Sequence, residues 1–69
     1  MTDNTASLDE QIAEVARECA MREGVYAKWV LSGRMTLADS QTRIRRMRAA
    51  LATLERLRAA ERVAQPELL

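Results

Sequence analysis

Two runs of helical periodicity separated by only five residues constrain this chain more than any other feature of its sequence. The separating segment, residues 32–36, contains Gly33, which can adopt the left-handed conformation that ends helices. It ends at Thr36, whose hydroxyl can cap a following helix. A connection this short makes two helices antiparallel neighbours. The sequence therefore predicts an all-α fold based on an antiparallel two-helix hairpin.

The first helix has a clear start signal and an apolar seam. Ser7 and Glu10 have the spacing of a capping box, which predicts a helix from about residue 8 to about residue 31. Apolar residues then recur in steps of four and three, interrupted by Arg22, as expected for one side of a helix. They are Leu8, Ile12, Val15, Cys19, Tyr26 and Trp29.

The second helix is expected from about residue 37 to about residue 64, since Pro66 disfavours a longer one. Its seam is formed by Leu37, Ile44, Met47, Leu51 and Leu54, and Leu57 and Val63 extend its apolar side. We expect residues 1–6 and 65–69 to be frayed or disordered, and residues 1–69 to form a single domain. The predicted core and dimer seam consists of Ile12, Val15, Cys19, Ile44, Met47, Leu51 and Leu54.

The small size of the chain predicts self-association. Folds below about 70 residues usually need a disulfide, a metal or a partner subunit for stability. The 69 residues include one cysteine, Cys19, and no histidine, so an internal disulfide and a zinc site are both excluded. A second copy is the remaining source of stability, and we expect a homodimer in which two hairpins form a four-helix bundle.

Charge is distributed unevenly along the chain, although the net charge is only +1. Residues 1–33 contain six acidic and three basic residues, whereas residues 34–69 contain four acidic and eight basic residues. Opposite charges on neighbouring helices attract, which favours the antiparallel hairpin. The polar N-terminus and the lack of a long apolar run predict a cytoplasmic protein with no signal peptide and no membrane association.

No catalytic, cofactor-binding or metal-binding residues can be assigned. Without histidine there is no Ser–His or Cys–His pair, and no glycine-rich phosphate loop is present. The sequence thus predicts a protein that is not an enzyme. Cys19 fits a small buried hydrophobic residue, with a reactive thiol as the less favoured alternative.

Four arginines, Arg43, Arg45, Arg46 and Arg48, form the densest charge cluster. One interpretation is a solvated face that pairs with Glu14, Glu18 or Glu23 of the first helix; the other is a docking surface for an acidic protein or DNA. Arg22 is expected to pair with a carboxylate across the bundle and fix its register. Aromatic residues near the turn can fill the end of the bundle or anchor a partner. The predicted partner-binding residues are Tyr26, Trp29, Arg34, Arg43 and Arg46.

Residues 17–54 resemble a family of very small phage and prophage proteins with a helical-hairpin architecture. The resemblance lies in Met21-Arg22, Val25-Tyr26, Trp29-Val30, Gly33-Arg34-Met35-Thr36, Ile44 and Met47. The chain departs from the family pattern at Ala27, where the pattern has proline, and at Ser40, where it has alanine. In length and layout the chain is similar to a phage-encoded quorum-sensing anti-activator.

That resemblance implies a small dimeric inhibitor, present in an infected or lysogenic bacterial cell, that binds host proteins. The implied targets are a LuxR-type transcription activator and the ATPase that drives type IV pilus assembly. Two other functions are compatible with the sequence. One is a small nucleic-acid-binding regulator that uses the arginine-rich second helix, and the other is an oligomerisation element of a phage particle.

Overall fold

The computed structural model describes residues 5–64, which form two α-helices joined by a short turn. Helix α1 spans Leu8–Leu31 and helix α2 spans Leu37–Ala64. These bounds coincide with the ones expected from the capping signals, and the described residues contain no strand. The predicted all-α helical hairpin is therefore confirmed. The expected disorder at residues 1–4 and 65–69 concerns segments outside the described residues.

Side-chain hydrogen bonds fix where both helices begin. The Ser7 hydroxyl accepts from the Glu10 N–H at 3.0 Å, and the Glu10 carboxylate accepts from the Ser7 N–H at 2.8 Å. This reciprocal pair satisfies two amides that a helix start leaves without intrahelical partners. At the start of α2, the Thr36 hydroxyl accepts from the Asp39 N–H at 3.0 Å.

The turn is closed by the hydrogen bonds of a Schellman motif. Gly33 has a φ of 81°, a conformation that residues with a side chain rarely adopt. Its N–H donates to the Val30 carbonyl at 3.2 Å, and the Arg34 N–H donates to the Trp29 carbonyl at 2.8 Å. Gly33 is thus the residue that reverses the chain and sets α2 beside α1.

The hairpin has a narrow core, because two helices form only one layer. The shortest principal dimension is 14 Å, and no large side chain among residues 5–64 is completely buried. On α1 the buried residues follow one another at intervals of seven: Ile12, Cys19 and Tyr26. Opposite them, α2 contributes the half-buried Ile44, Met47, Leu51 and Leu54. Two residues of the predicted seam, Ile12 and Cys19, are therefore buried, and the other five keep part of their surface exposed.

The packing near the turn differs from the sequence-based expectation. Leu37 was expected in the seam, but it is 59% exposed, whereas Ser40 is only 5% exposed. Ser40 lies in the first turn of α2, directly after the short connection, where a small side chain fits against α1. Leu57 and Val63 are also largely exposed, so the predicted apolar extension of α2 is not covered by α1.

Candidate protein-binding surface

The two sides of the hairpin differ in how the helices are joined at their edges. On one side, which we call the paired side, two ion pairs connect α1 to α2. Arg58 donates to Asp9 at 3.2 Å, and Arg48 donates to Glu23 through its Nε at 2.9 Å and through a second nitrogen. The Glu23 hydrogen bond raises the pKa of Arg48 above its usual value. The paired side is therefore closed by charged groups from both helices.

The other side carries two open hollows, and we call it the groove side. The first hollow has a volume of about 520 Å³ and lies between the helices at Val15 and Leu54. The second has a volume of about 260 Å³ and lies nearer the turn, along α1. Its lining is mostly apolar and includes Met21, Val25 and Trp29. Exposed apolar hollows of this kind are typical of surfaces that bind other proteins.

The two aromatic residues of the predicted contact set have different positions. Tyr26 is only 8% exposed and belongs to the core, whereas Trp29 is 38% exposed and lines the second hollow. The ring centroids are 5.7 Å apart with an interplanar angle of 31°. Such tilted aromatic pairs are favourable. Tyr26 thus supports the indole from inside, and Trp29 is the ring available for contact.

Within one hairpin, Arg22 pairs along α1 and not with α2, and its expected pairing across a bundle of two copies stays a prediction. Its Nε donates to Glu18 of the same helix at 2.8 Å. This hydrogen bond raises the pKa of Arg22 above its usual value. Both side chains line the second hollow and remain partly exposed. The pair is local because Glu18 is one helical turn before Arg22, which places the two side chains side by side.

The arginines at the start of α2 are mostly unpaired. Arg48 pairs with Glu23, as one interpretation of the cluster predicts, but Glu14 and Glu18 pair with Arg17 and Arg22 of their own helix. Within residues 5–64, no carboxylate lies at ion-pair distance from the exposed cations nearest the turn. These cations are Arg34, Arg43, Arg45 and Arg46. Three of the four, Arg34, Arg43 and Arg46, belong to the predicted contact set.

Several residues of the groove side were not identified as site residues from the sequence. Glu18, Met21 and Val25 line the second hollow together with Trp29. A second series of four- and three-residue steps along α1 could have identified Glu18 and Val25. This series shares Val15 and Trp29 with the core seam. The apolar residues of α1 occupy more than one side of the helix, and α2 covers only one of these sides.

Cys19 is a free thiol buried in the core, and no group of three or more histidine, cysteine or acidic side chains in residues 5–64 is placed to hold a metal ion. This part of the chain does offer an apolar hollow lined by a tryptophan, near a turn whose neighbouring arginines have no ion-pair partner among residues 5–64. Guanidinium groups bind carboxylates and phosphates, often with two parallel hydrogen bonds.

No protein family model, curated protein or solved structure matches the chain. Neither of the two described helices combines the length and apolar character required to cross a membrane.

Proposed function

We propose that this chain is a non-enzymatic inhibitor, encoded by a phage, that acts as a homodimer by binding host proteins in the bacterial cytoplasm. The observation that supports protein binding is the concentration of unpaired cations beside an exposed tryptophan at the turn end. Arg34, Arg43 and Arg46 have no ion-pair partner among residues 5–64, and Trp29 lines the adjoining hollow. Arginine and tryptophan are the residues most enriched at the energetic centres of protein interfaces.

The charge of this surface favours an acidic partner. Arg17, Arg22, Arg48 and Arg58 are held by carboxylates of α1, whereas the arginines near the turn, like Arg56 and Arg62 at the far end of α2, have no ion-pair partner among residues 5–64. A carboxylate group on a partner can therefore bind them without first breaking an ion pair. Complementary charge also accelerates association with the partner.

The resemblance to phage anti-activators supplies the specific targets of this proposal. They are a LuxR-type quorum-sensing activator and, as a second target, the type IV pilus assembly ATPase. Tyr26 positions Trp29 in this proposal, while Trp29, Arg34, Arg43 and Arg46 contact the target.

The test is binding of the purified activator, and separately of the purified ATPase, to a double variant, Arg43→Ala with Arg46→Ala. We expect at least a tenfold rise in Kd by calorimetry, because two cationic contacts are lost. The matched control is Arg56→Ala with Arg62→Ala, which removes the same charge at the far end of α2 and should leave Kd nearly unchanged. Circular dichroism confirms that both variants remain helical.

Two outcomes would contradict the proposal. Equal weakening by both double variants would show that only the net charge of the protein matters. Absence of binding of both targets by the unmodified chain would remove them as partners. Retention of duplex DNA that falls steeply with added salt would instead favour the nucleic-acid-binding alternative, since neutralising phosphates releases counterions.

A further inference from the structure

A second stripe of side chains runs along α1 on the groove side. Steps of four and three residues keep side chains on one side of a helix. The stripe joins the two hollows, since its first two members line the hollow at Leu54 and the other four line the hollow near the turn. Its members are Gln11, Val15, Glu18, Arg22, Val25 and Trp29. The hairpin itself leaves this stripe open.

From this stripe we infer that α1 of a second copy binds there, antiparallel, about a twofold axis that passes between Glu18 and Arg22 at the level of residue 20 along the helix. The spacing of the stripe, in steps of 4, 3, 4, 3 and 4 residues, is symmetric about position 20, so an antiparallel copy places each member opposite another member. Val15 of each copy then lies opposite Val25 of the other. Self-complementary contacts of this kind are the basis of twofold dimers.

Charge complementarity selects a second copy in this orientation. Glu18 and Arg22 are the two central members of the stripe and form a partly exposed ion pair within α1. In the antiparallel arrangement Glu18 of each copy lies opposite Arg22 of the other, which gives four alternating charges around the axis. A parallel copy would instead place Glu18 on Glu18 and Arg22 on Arg22. Like charges in contact disfavour that orientation.

Helix α2 has a surface that fits the same arrangement. The ion pair between Glu23 and Arg48 and the shared hollow of Val15 and Leu54 place Ala50 beside the middle of the stripe. Met47 and Ala50 precede Leu54 by seven and four residues, so they share its side of α2. The small side chain of Ala50 allows α2 helices of two copies to approach each other. The four helices would then enclose the half-buried apolar residues that each hairpin leaves exposed.

This inference rests on the proposed function, which expects a homodimer. It adds which surface forms the interface, the orientation of the two copies and the central ion pairs. Trp29 is the last member of the stripe, opposite Gln11 of the second copy and next to the turn, so the edge of the dimer interface and the target contact share this ring. Arg34, Arg43 and Arg46 lie nearer the turn than the central charges, although Arg43 and Arg46 share the side of α2 that carries Ala50. Sedimentation of the Arg43→Ala, Arg46→Ala variant therefore accompanies its binding assay, so that a change in self-association is measured separately from a change in target binding.

The first test reverses charges at the centre of the stripe. Sedimentation equilibrium of the full chain should show at least a tenfold rise in the dimer Kd for Glu18→Arg alone and for Arg22→Glu alone. An equimolar mixture of the two variants should regain dimers, because each variant then supplies the charge that the other lacks. Arg45→Glu, on the exposed side of α2 that lies away from Met47 and Ala50, is the matched control and should dimerise like the unmodified chain.

The second test determines the orientation by disulfide formation in a Cys19→Ala background. A chain carrying Val15→Cys, mixed with a chain carrying Val25→Cys, should form a mixed disulfide dimer under mild oxidation, and neither chain alone should do so efficiently. Cross-linking of each chain with itself would overturn the antiparallel orientation. A monomer of the unmodified chain at all concentrations, or single charge variants that dimerise normally, would overturn the interface.

Failure of this inference is distinguishable from failure of the proposed function. Sedimentation and cross-linking use this chain alone, whereas the Arg43 and Arg46 variants are measured against a host target. A monomeric chain that still binds the target removes only the interface, and a dimer that binds neither target removes only the proposed inhibitor role.

Discussion

The paired side and the groove side of the hairpin are built from the same two helices, yet they are completed in different ways. On the paired side, Asp9 and Glu23 of α1 reach Arg58 and Arg48 of α2. On the groove side, Glu18 and Arg22 pair within α1 and leave apolar hollows beside them. Charge pairing between helices closes one edge of the hairpin, whereas charge pairing within α1 leaves the other edge open.

The largest expected effect distinguishes the ring in the core from the ring in the groove. Tyr26→Ala should lower the free energy of unfolding by about 3 kcal/mol, because a buried aromatic side chain is lost. Trp29→Ala should cost roughly half as much, since its ring is already partly exposed. Urea unfolding followed by circular dichroism measures both changes.

Protein concentration sharpens this comparison. The destabilisation by Trp29→Ala should increase with concentration, because Trp29 lies in the proposed dimer interface and dimerisation stabilises by mass action. Tyr26→Phe keeps the ring in the core and serves as the control. Equal losses for the two alanine variants at all concentrations would show that the core and the groove do not differ.

A smaller effect is expected at the buried position of α2 near the turn, Ser40. Ser40→Leu adds a large side chain at a position that is 5% exposed, and overpacking of this kind costs about 1–3 kcal/mol. Ala38→Leu adds similar volume at an exposed position of the same helix and should change stability by less than about 0.5 kcal/mol. Thermal unfolding of the two variants side by side would reveal whether space at Ser40 is limiting; indistinguishable curves would argue against it.

The smallest effect is expected from the ion pair that closes the paired side. Replacing Glu23 with Gln and Arg48 with Gln, singly and together, should give a coupling energy below the cost of Ser40→Leu, since both side chains are largely exposed and solvent screens their attraction. The coupling should decrease further in high salt. A double-mutant cycle from urea midpoints measures it. A coupling larger than the Ser40→Leu effect would mean that the paired side is a main source of stability.

The sequence predicts the architecture of this protein well because the relevant interactions are local. Ser7, Gly33 and Thr36 each act within a few residues, and each forms the cap or turn that its residue type suggests. Periodicity also places Ile12, Cys19 and Tyr26 on one side of α1, where the structure buries them.

Long-range packing was less accessible from the sequence. Heptad spacing places Leu37 in the seam of α2, but the structure buries Ser40 instead. That choice depends on how α1 and α2 pack together near the turn. Likewise, Val15, Arg22 and Trp29 fit both the core seam and the groove stripe. Which side of α1 faces α2 depends on contacts between distant residues, which a periodic pattern cannot rank.

The location of Trp29 gives the protein a built-in optical probe. It is the only tryptophan in the 69 residues, and its indole is half-exposed at the groove. Indole emission shifts to shorter wavelength when water is removed from the ring, so the intrinsic fluorescence of the unlabelled chain reports whether this groove is wet or covered. Occupancy of one specific surface can thereby be followed in real time without attaching a dye.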